Sequence, residues 1–358
     1  MKPLIRARID GAALRHNLRQ LRSLAPRSRV MAVVKANAYG HGLVPVALAL
    51  SGADAFAVAR LEEGAALRSA GVTQAIVLLE GIYSARQLGE AAEHELDLVV
   101  HDPMQVDLLE QYRGDHRFAV WIKVDTGMNR LGLRPEAFAA TWDRLHALKV
   151  KPSVVRVLTH LACADEPDHP MTQEQLARLA PLLAGRRAEV SIANSAGLLA
   201  HPASHADWVR PGLALYGASP FGGGRGADLG LKPAMTLEST VIAVRAVPRG
   251  ETVGYGAAWR AARDSSVAII AGGYGDGLLR SLPGGAPVLV NGRRAPIAGR
   301  VSMDMIAVDV TGLPPVSIGD RAELWGAGLA VEEVAQCAGT VPYELLCAVS
   351  QRVPIELV

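Results

Sequence analysis

Apolar and polar residues alternate along the first two-thirds of the chain in blocks of two different periods. Short runs rich in valine, isoleucine, leucine and alanine fall at residues 30–34, 55–59, 75–79, 98–100, 118–124, 154–158, 189–193 and 213–216. Their composition is that of strands buried on both faces. Between most of them lie stretches with helical spacing of apolar residues, at 43–50, 61–69, 85–94, 104–111, 135–148 and 172–183. Pro135 opens one of these at the first helical position, where its missing N–H does no harm. Strands separated by helices of this length predict parallel βα units, and eight such strands predict a closed (β/α)8 barrel of the TIM type. Ahead of the barrel, residues 2–9 alternate like a short strand. Asp10 is then placed to cap a helix whose apolar stripe is Leu14, Leu18 and Leu21.

The rhythm changes after Phe221. Gly222-Gly-Gly-Arg-Gly226 reads as a flexible linker, and helical periodicity is then nearly absent until Val331. In its place come short β-branched runs at 240–247, 267–271, 288–290, 306–310 and 322–325. Asn291-Gly292 supplies a two-residue hairpin signal. The pattern predicts an N-terminal barrel over residues 10–221, a linker over 222–230 and a mostly β C-terminal domain over 231–358. That domain includes a helix at 331–337 and a last strand near 352–358, and the strand at residues 1–9 is expected to join it.

With 358 residues, half of them apolar, the chain is long enough for two cores. A net charge of +2 without a basic block argues against nucleic acid as a partner. The first twenty residues are broken by Lys2, Arg6, Arg8, Asp10 and Arg15, unlike a signal peptide. No run approaches the roughly 18 apolar residues of a membrane span. A soluble cytoplasmic protein is expected. Cys163, Cys337 and Cys347 have neither an even count nor a close spacing, and the histidines are scattered, so neither a disulfide framework nor a metal site is expected.

Polar residues gather where the predicted strands end. Lys35, Glu80, His101, Asp102, Arg130, His160, Asn194, Ser195 and Arg210 all lie at or just beyond those C-terminal ends, the face on which barrels of this kind carry their active sites. Lys35 directly follows an apolar strand. Burial there favours the neutral amine, the form that attacks an aldehyde to give a Schiff base. The following Ala-Asn-Ala-Tyr-Gly-His-Gly reads as loop. Asn194-Ser-Ala-Gly197 is a plausible phosphate-binding turn, and Arg210 sets a guanidinium beside Gly212, whose backbone amide can approach an anion. Asp125 and Arg130 read equally well as a plain ion pair.

The string from Val30 to Gly42 resembles the cofactor-lysine signature of the alanine racemase family, and the likeness runs over nearly the whole chain. Arg210-Pro-Gly-Leu-Ala-Leu-Tyr-Gly217, Ile122–Gly132, Val253-Gly-Tyr-Gly-Ala257, Gly272-Gly-Tyr-Gly-Asp-Gly277 and Arg300-Val-Ser-Met-Asp-Met305 resemble further family segments. The resemblance implies pyridoxal 5'-phosphate (PLP) held as a Schiff base on Lys35. Arg210 would face the pyridine nitrogen, His160 would orient Arg210, and Arg130 would approach the phenolic oxygen and the substrate carboxylate. Tyr39, Ser195, Gly212, Leu213 and Tyr343 match positions that contact the phosphate. Met303 would hold the carboxylate through its N–H, Tyr274 and Asp304 would line the entrance, and Lys123 matches a position where some relatives carry a carbamylated lysine. Lys35 and Tyr255 would be the two bases exchanging the α-proton of D- and L-alanine, in a head-to-tail homodimer with shared sites.

An arginine opposite the ring nitrogen donates a hydrogen bond without giving up its proton, leaving a weaker electron sink. Two other readings stay open at this stage. A barrel-type PLP-dependent decarboxylase would favour a carboxylate at the ring nitrogen and a cysteine-bearing acid/base loop. A non-catalytic PLP-binding protein would leave Tyr255, Met303 and the β domain without purpose. Substrate breadth, and a role in wall precursor supply or in D-alanine breakdown, are not read from the residues.

Overall fold

A computed structural model describes residues 3–358, so Lys2 of the expected first strand lies outside it. Contacts divide the chain into two compact units. One comprises residues 17–38 and 43–215, the other residues up to His16, Tyr39–Gly42 and Tyr216–Val358. Among the described residues no helix is long and apolar enough to cross a membrane.

The expected first strand forms as β1 (Arg6–Ile9). Eight parallel strands then close the barrel: β2 (Arg29–Val33), β3 (Ala55–Val58), β4 (Ala75–Leu78), β5 (Leu96–Val100), β6 (Ala119–Lys123), β7 (Val154–Leu158), β8 (Val190–Ser191) and β9 (Trp208–Val209). β3 is buried at every position, as expected of a strand covered on both sides. The last two strands are only two residues long, and side chains help to close the seam. Glu189 accepts from Arg156 Nε at 2.6 Å and from Trp208 Nε1 at 3.1 Å, and Ser191 Oγ donates to the Trp208 carbonyl at 2.8 Å. The Arg29 guanidinium lies 4.1 Å from the Trp208 ring centroid.

The eighth strand is not where the apolar run 213–216 suggested. Leu213–Tyr216 is a 3-10 turn, and Trp208–Val209 closes the barrel instead. Pro211 has no N–H to offer a ladder, and the N–H groups of Gly212 and Ala214 donate to Ser195 Oγ at 2.9 and 3.2 Å. Arg210 therefore stands immediately beyond a strand end.

The second correction concerns the segment after Lys35, which is not an irregular loop. Ala36, Asn37, Ala38 and Tyr39 all take left-handed helical φ values, from 52° to 54°. Such a conformation costs roughly 1–2 kcal/mol for each residue with a Cβ. Local bonds offset this. The Ala36 N–H donates to Glu63 Oε1 at 2.7 Å, Ala38 N–H to the Val34 carbonyl at 2.8 Å, and Leu43 N–H to Asn37 Oδ1 at 2.9 Å.

The second unit is built on β10 (Met235–Val247), β11 (Thr252–Val253), β12 (Trp259–Arg260), β13 (Ser265–Ala271), β14 (Pro287–Val290), β15 (Arg293–Pro296), β16 (Met305–Asp309), β17 (Arg321–Trp325) and β18 (Ile355–Leu357). The main sheet runs β15-β14-β17-β10-β1-β18, with β13 and β16 branching from β10. β1 lies antiparallel to β10 and parallel to β18. Asn291 and Gly292 both have positive φ, 48° and 76°, as a primed two-residue hairpin requires. The helix Val331–Cys337 forms as expected, and a further one, Pro342–Ala348, was not foreseen. The glycine-rich linker is partly ordered. Gly226–Leu229 is a 3-10 turn, and the N–H groups of Ser219 and Gly226 both donate to Glu332 Oε1 at 2.8 Å.

Candidate active site

Arg210 is the most constrained polar residue at the mouth of the barrel. It is 4% exposed. Its Nη1 donates to Ser191 Oγ at 2.7 Å, and its Nη2 serves the Thr159 and Ile192 carbonyls and faces His160 Nδ1 at 3.4 Å. None of these bonds engages Nε. Burial pulls the guanidinium down to about 10, which still leaves it protonated near neutral pH. His160 must present a bare Nδ1 to accept from Arg210, so the proton of its neutral ring sits on Nε2. Burial first, then the charges of Arg210, Lys123, Arg130 and Lys35, hold this imidazole well below the ordinary histidine range.

Lys123, at the end of β6, is buried. Burial and then Arg210, Arg130 and Lys35 draw its ammonium down to about 8, against the opposing pull of Asp125. The alternative, an Asp125–Arg130 ion pair, does not form. Asp125 Oδ1 instead accepts from the N–H groups of Gly127 and Asn129 at 2.9 and 3.0 Å, shaping the turn that exposes Arg130. Among the described residues Arg130 pairs with no carboxylate. Four cations at one barrel mouth, with the nearby carboxylate committed to a turn, form a natural anion site.

Ser195 is 3% exposed and follows Asn194, whose side chain caps a short helix by accepting from Gly197 N–H at 2.8 Å. The Ser195 hydroxyl receives the N–H groups of Gly212 and Ala214, so its own proton is free to donate outward. The Gly212 amide, expected to face an anion directly, is thus occupied by Ser195 Oγ. Leu213 is buried beside it. Lys35 directly follows β2 and is half-buried.

The remaining expected residues belong to the second unit. Tyr39 is buried, its ring 6.0 Å from that of Tyr343 and stacked at 4.8 Å on Tyr216. Burial, then Tyr343 and Cys347, push its phenol up, so it remains a hydrogen-bond donor. Gly40, with φ of 78°, is required here because a Cβ would stand 2.0 Å from the Leu346 carbonyl oxygen. Tyr255 is 66% exposed on a turn framed by Gly254 and Gly256, both at positive φ. Arg300 lies next to it, its Cζ 3.4 Å from where a Cβ on Gly256 would be.

Two loops carrying Tyr274 and Met303 are zipped together by their backbones. Gly272, Tyr274 and Gly275 donate to the carbonyls of Asp304, Ser302 and Met303 at 2.8, 3.0 and 2.9 Å. Across the trans peptide between Ser302 and Met303, the Met303 N–H points opposite to the engaged Ser302 carbonyl. It is therefore turned away from the glycine loop and has no acceptor among the described residues.

Three contributors escaped sequence reasoning. Glu63 accepts from Ala36, Ala59 and Arg60 and so ties the left-handed turn after Lys35 to a helix N-terminus. A glutamate three residues after Arg60, at a helix start, was the available signal. Asp276 and Arg352 bind the two loops of the second unit, and no sequence spacing links them.

The donor set matches what PLP presents. A lysine, a buried arginine with an unengaged Nε and a serine hydroxyl stand at the barrel mouth, donors of the kinds that an aldehyde, a ring nitrogen and a phosphate would need. Residues 9–220 match the family described as "Alanine racemase, N-terminal domain", and residues 234–357 match "Alanine racemase, C-terminal domain". The chain is 50% identical to an alanine racemase of Shewanella woodyi over 99% of both sequences, and 48% identical to that of Aliivibrio salmonicida over 98% of both. The crystal structure of the biosynthetic alanine racemase from Pseudomonas aeruginosa superposes with a TM-score of 0.96 at 46% identity, with both chains fully covered. That of the Acinetobacter baumannii enzyme gives 0.93 at 38% identity, again over the whole of both chains. Barrel, β domain and mouth residues thus converge with full-length likeness, and the chain belongs to the alanine racemase family.

Proposed function

We infer that the chain is a PLP-dependent isomerase interconverting L- and D-alanine by two-base proton transfer at the α-carbon. The observation that carries this reading is Arg210, buried and fixed by its Nη bonds while its Nε stays unengaged. It offers a ring nitrogen a donor that will not part with its proton, which favours racemisation over the deeper carbanion stabilisation that transamination needs. PLP, when bound, supplies the aldehyde and the electron-withdrawing ring. Ser195, Tyr39 and Tyr343 would hold its phosphate, with Gly212 and Leu213 shaping the seat. Arg130 and the Met303 N–H would take the substrate carboxylate, and Tyr274 and Asp304 would line the entrance.

Racemisation requires a proton to leave one face of the α-carbon and return to the other. Lys35 would serve the α-proton of D-alanine and Tyr255 that of L-alanine. The exposed phenol needs nearby positive charge to work as a base near neutral pH, and Arg300 beside its turn is one source. Lys123 is poised for carbamylation. Its depressed ammonium yields free amine for attack on CO2 with release of a proton, and the resulting negative charge would balance Arg130 and Arg210.

A head-to-tail homodimer with shared sites is the assembly we assign. Three free thiols among the described residues fit a reducing, cytoplasmic setting, with D-alanine supplied to peptidoglycan precursors. The test is direct. Purified protein with PLP should develop the cofactor's visible absorbance and abolish the optical rotation of L-alanine. Carbon dioxide release instead would identify a decarboxylase, and a coloured but inactive protein a PLP carrier.

A further inference from the structure

Arg352 joins the two loops that carry Tyr274 and Met303 from outside both of them. Its Nη2 donates to Asp304 Oδ1 at 2.7 Å, and its Nε lies 3.5 Å from Asp276 Oδ1. The two carboxylates differ in setting. Asp304 is exposed and directly follows Met303, whereas Asp276 is buried and its second oxygen accepts the Gly273 N–H at 3.0 Å. The segment bearing Arg352 is itself fastened to the glycine loop. Ser350 Oγ donates to the Gly275 carbonyl at 2.9 Å, and Ser350 N–H to the Asp276 carbonyl at 3.2 Å. The guanidinium passes so close to Gly275 that a Cβ there would come within 2.4 Å of its Nη1.

We propose that Arg352 is a positioning residue for substrate carboxylate binding, acting through Asp304 to fix the direction of the Met303 N–H. This rests on the reading that Met303 takes the carboxylate of alanine. Backbone bonds zip the two loops to each other, and Ser350 ties only the glycine loop to the segment that bears Arg352. A planar fork reaching one carboxylate on each loop from a third segment fixes the Met303 loop against the other two, which lysine, a point donor, does less well. Because the Arg352–Asp304 pair is exposed, it adds little to global stability. Its loss should therefore register in ligand binding rather than in folding. The carboxylate is held alike in ground and transition states, so the effect should fall on KM and spare kcat.

Propionate, which keeps the carboxylate but has no amine to react with the cofactor, is the probe. Titrated calorimetrically into the PLP-loaded enzyme, it should bind Arg352→Ala about five- to tenfold more weakly than wild type. The KM for both alanine enantiomers should rise in step and kcat should hold within about twofold; the unfolding midpoint of Asp304→Asn should be unchanged, whereas Arg352→Ala, which also strips the cation from buried Asp276, should unfold somewhat earlier. Arg352→Lys should fall between the two, and Asp304→Asn should reproduce the loss from the other end of the link should Arg352→Ala fold poorly. Arg86→Ala, which breaks a comparably exposed pair with Glu90, should leave propionate affinity alone. Propionate affinity within about twofold of wild type in Arg352→Ala or Asp304→Asn, in an enzyme that racemises alanine, overturns the proposal and leaves the function intact. A wild-type holoenzyme that fails to racemise alanine overturns the functional reading itself.

Discussion

Two of the barrel's candidate groups are deeply buried side chains. Arg210 and Ser195 are almost inaccessible, and each is fixed by hydrogen bonds from or to its neighbours. In the β domain two others stand in the open, Tyr255 66% and Met303 51% exposed, and Met303 is held by the backbone zip between its loop and that of Tyr274. On the proposed function, the difference follows from what each group would do. Tuning the charge on a cofactor ring requires low dielectric and fixed dipoles, hence burial. Moving a proton or clasping a carboxylate that comes and goes requires access, so the support must come from beneath.

Substitutions that separate the two halves probe this contrast. The largest effect should come from Lys35→Ala, which on the proposed function would remove both the cofactor anchor and one base. Racemisation should fall by about 10^4-fold or more, and visible absorbance should be lost after gel filtration. Tyr255→Phe strikes the exposed half only. It should lower racemisation by about 10^2–10^4-fold with cofactor absorbance intact, and exchange of the D-alanine α-proton with deuterated solvent, followed by NMR, should survive. Loss of absorbance in Tyr255→Phe would break the division between halves.

Gly273→Ala attacks the zip itself, because a Cβ there would meet the Ser302 carbonyl oxygen at 2.1 Å. It should raise the KM for alanine by about tenfold and lower the urea midpoint by the equivalent of about 1–3 kcal/mol. The smallest change concerns Lys123, whose folded-state pKa of about 8 lies below its ordinary value. Between that value and the unfolded one the unfolded chain holds more protons, so stability rises with pH across this window and is flat beneath it. In carbonate-free buffer, Lys123→Met should be more stable than wild-type apoprotein at pH 7, by on the order of 1–3 kcal/mol. Urea titrations should show that gap closing as pH climbs past 8.

The strand–helix alternation could be read from the chain because each element carries its own period. The same is true of the Asn291-Gly292 hairpin and of Lys35, Ser195 and Arg210 as strand-end residues. What misled were segments whose backbone is satisfied from elsewhere. Residues 213–216 have a strand's composition, yet the N–H groups of Gly212 and Ala214 go to Ser195, 17 and 19 residues upstream. The left-handed turn at 36–39 contains no glycine, so nothing in its composition advertises φ near +53°; Glu63 and Asn37 hold it from outside the usual turn grammar. Arg352 and Asp276 meet only through the tertiary fold, beyond the reach of any local pattern.

The placement of β1 between β10 and β18 has a consequence for biogenesis. Strand β1 finds both ladder partners only once synthesis has reached Leu357, since one of them is β18. The intervening barrel is a nearly continuous insert and needs no such wait. A fragment starting at Tyr216 would be missing an interior strand, leaving β18 without its ladder and Glu238 without Arg6 and Arg8. The β domain can therefore be isolated only if residues 6–9 are grafted back onto it, and truncations that remove β18 will loosen β1 as well.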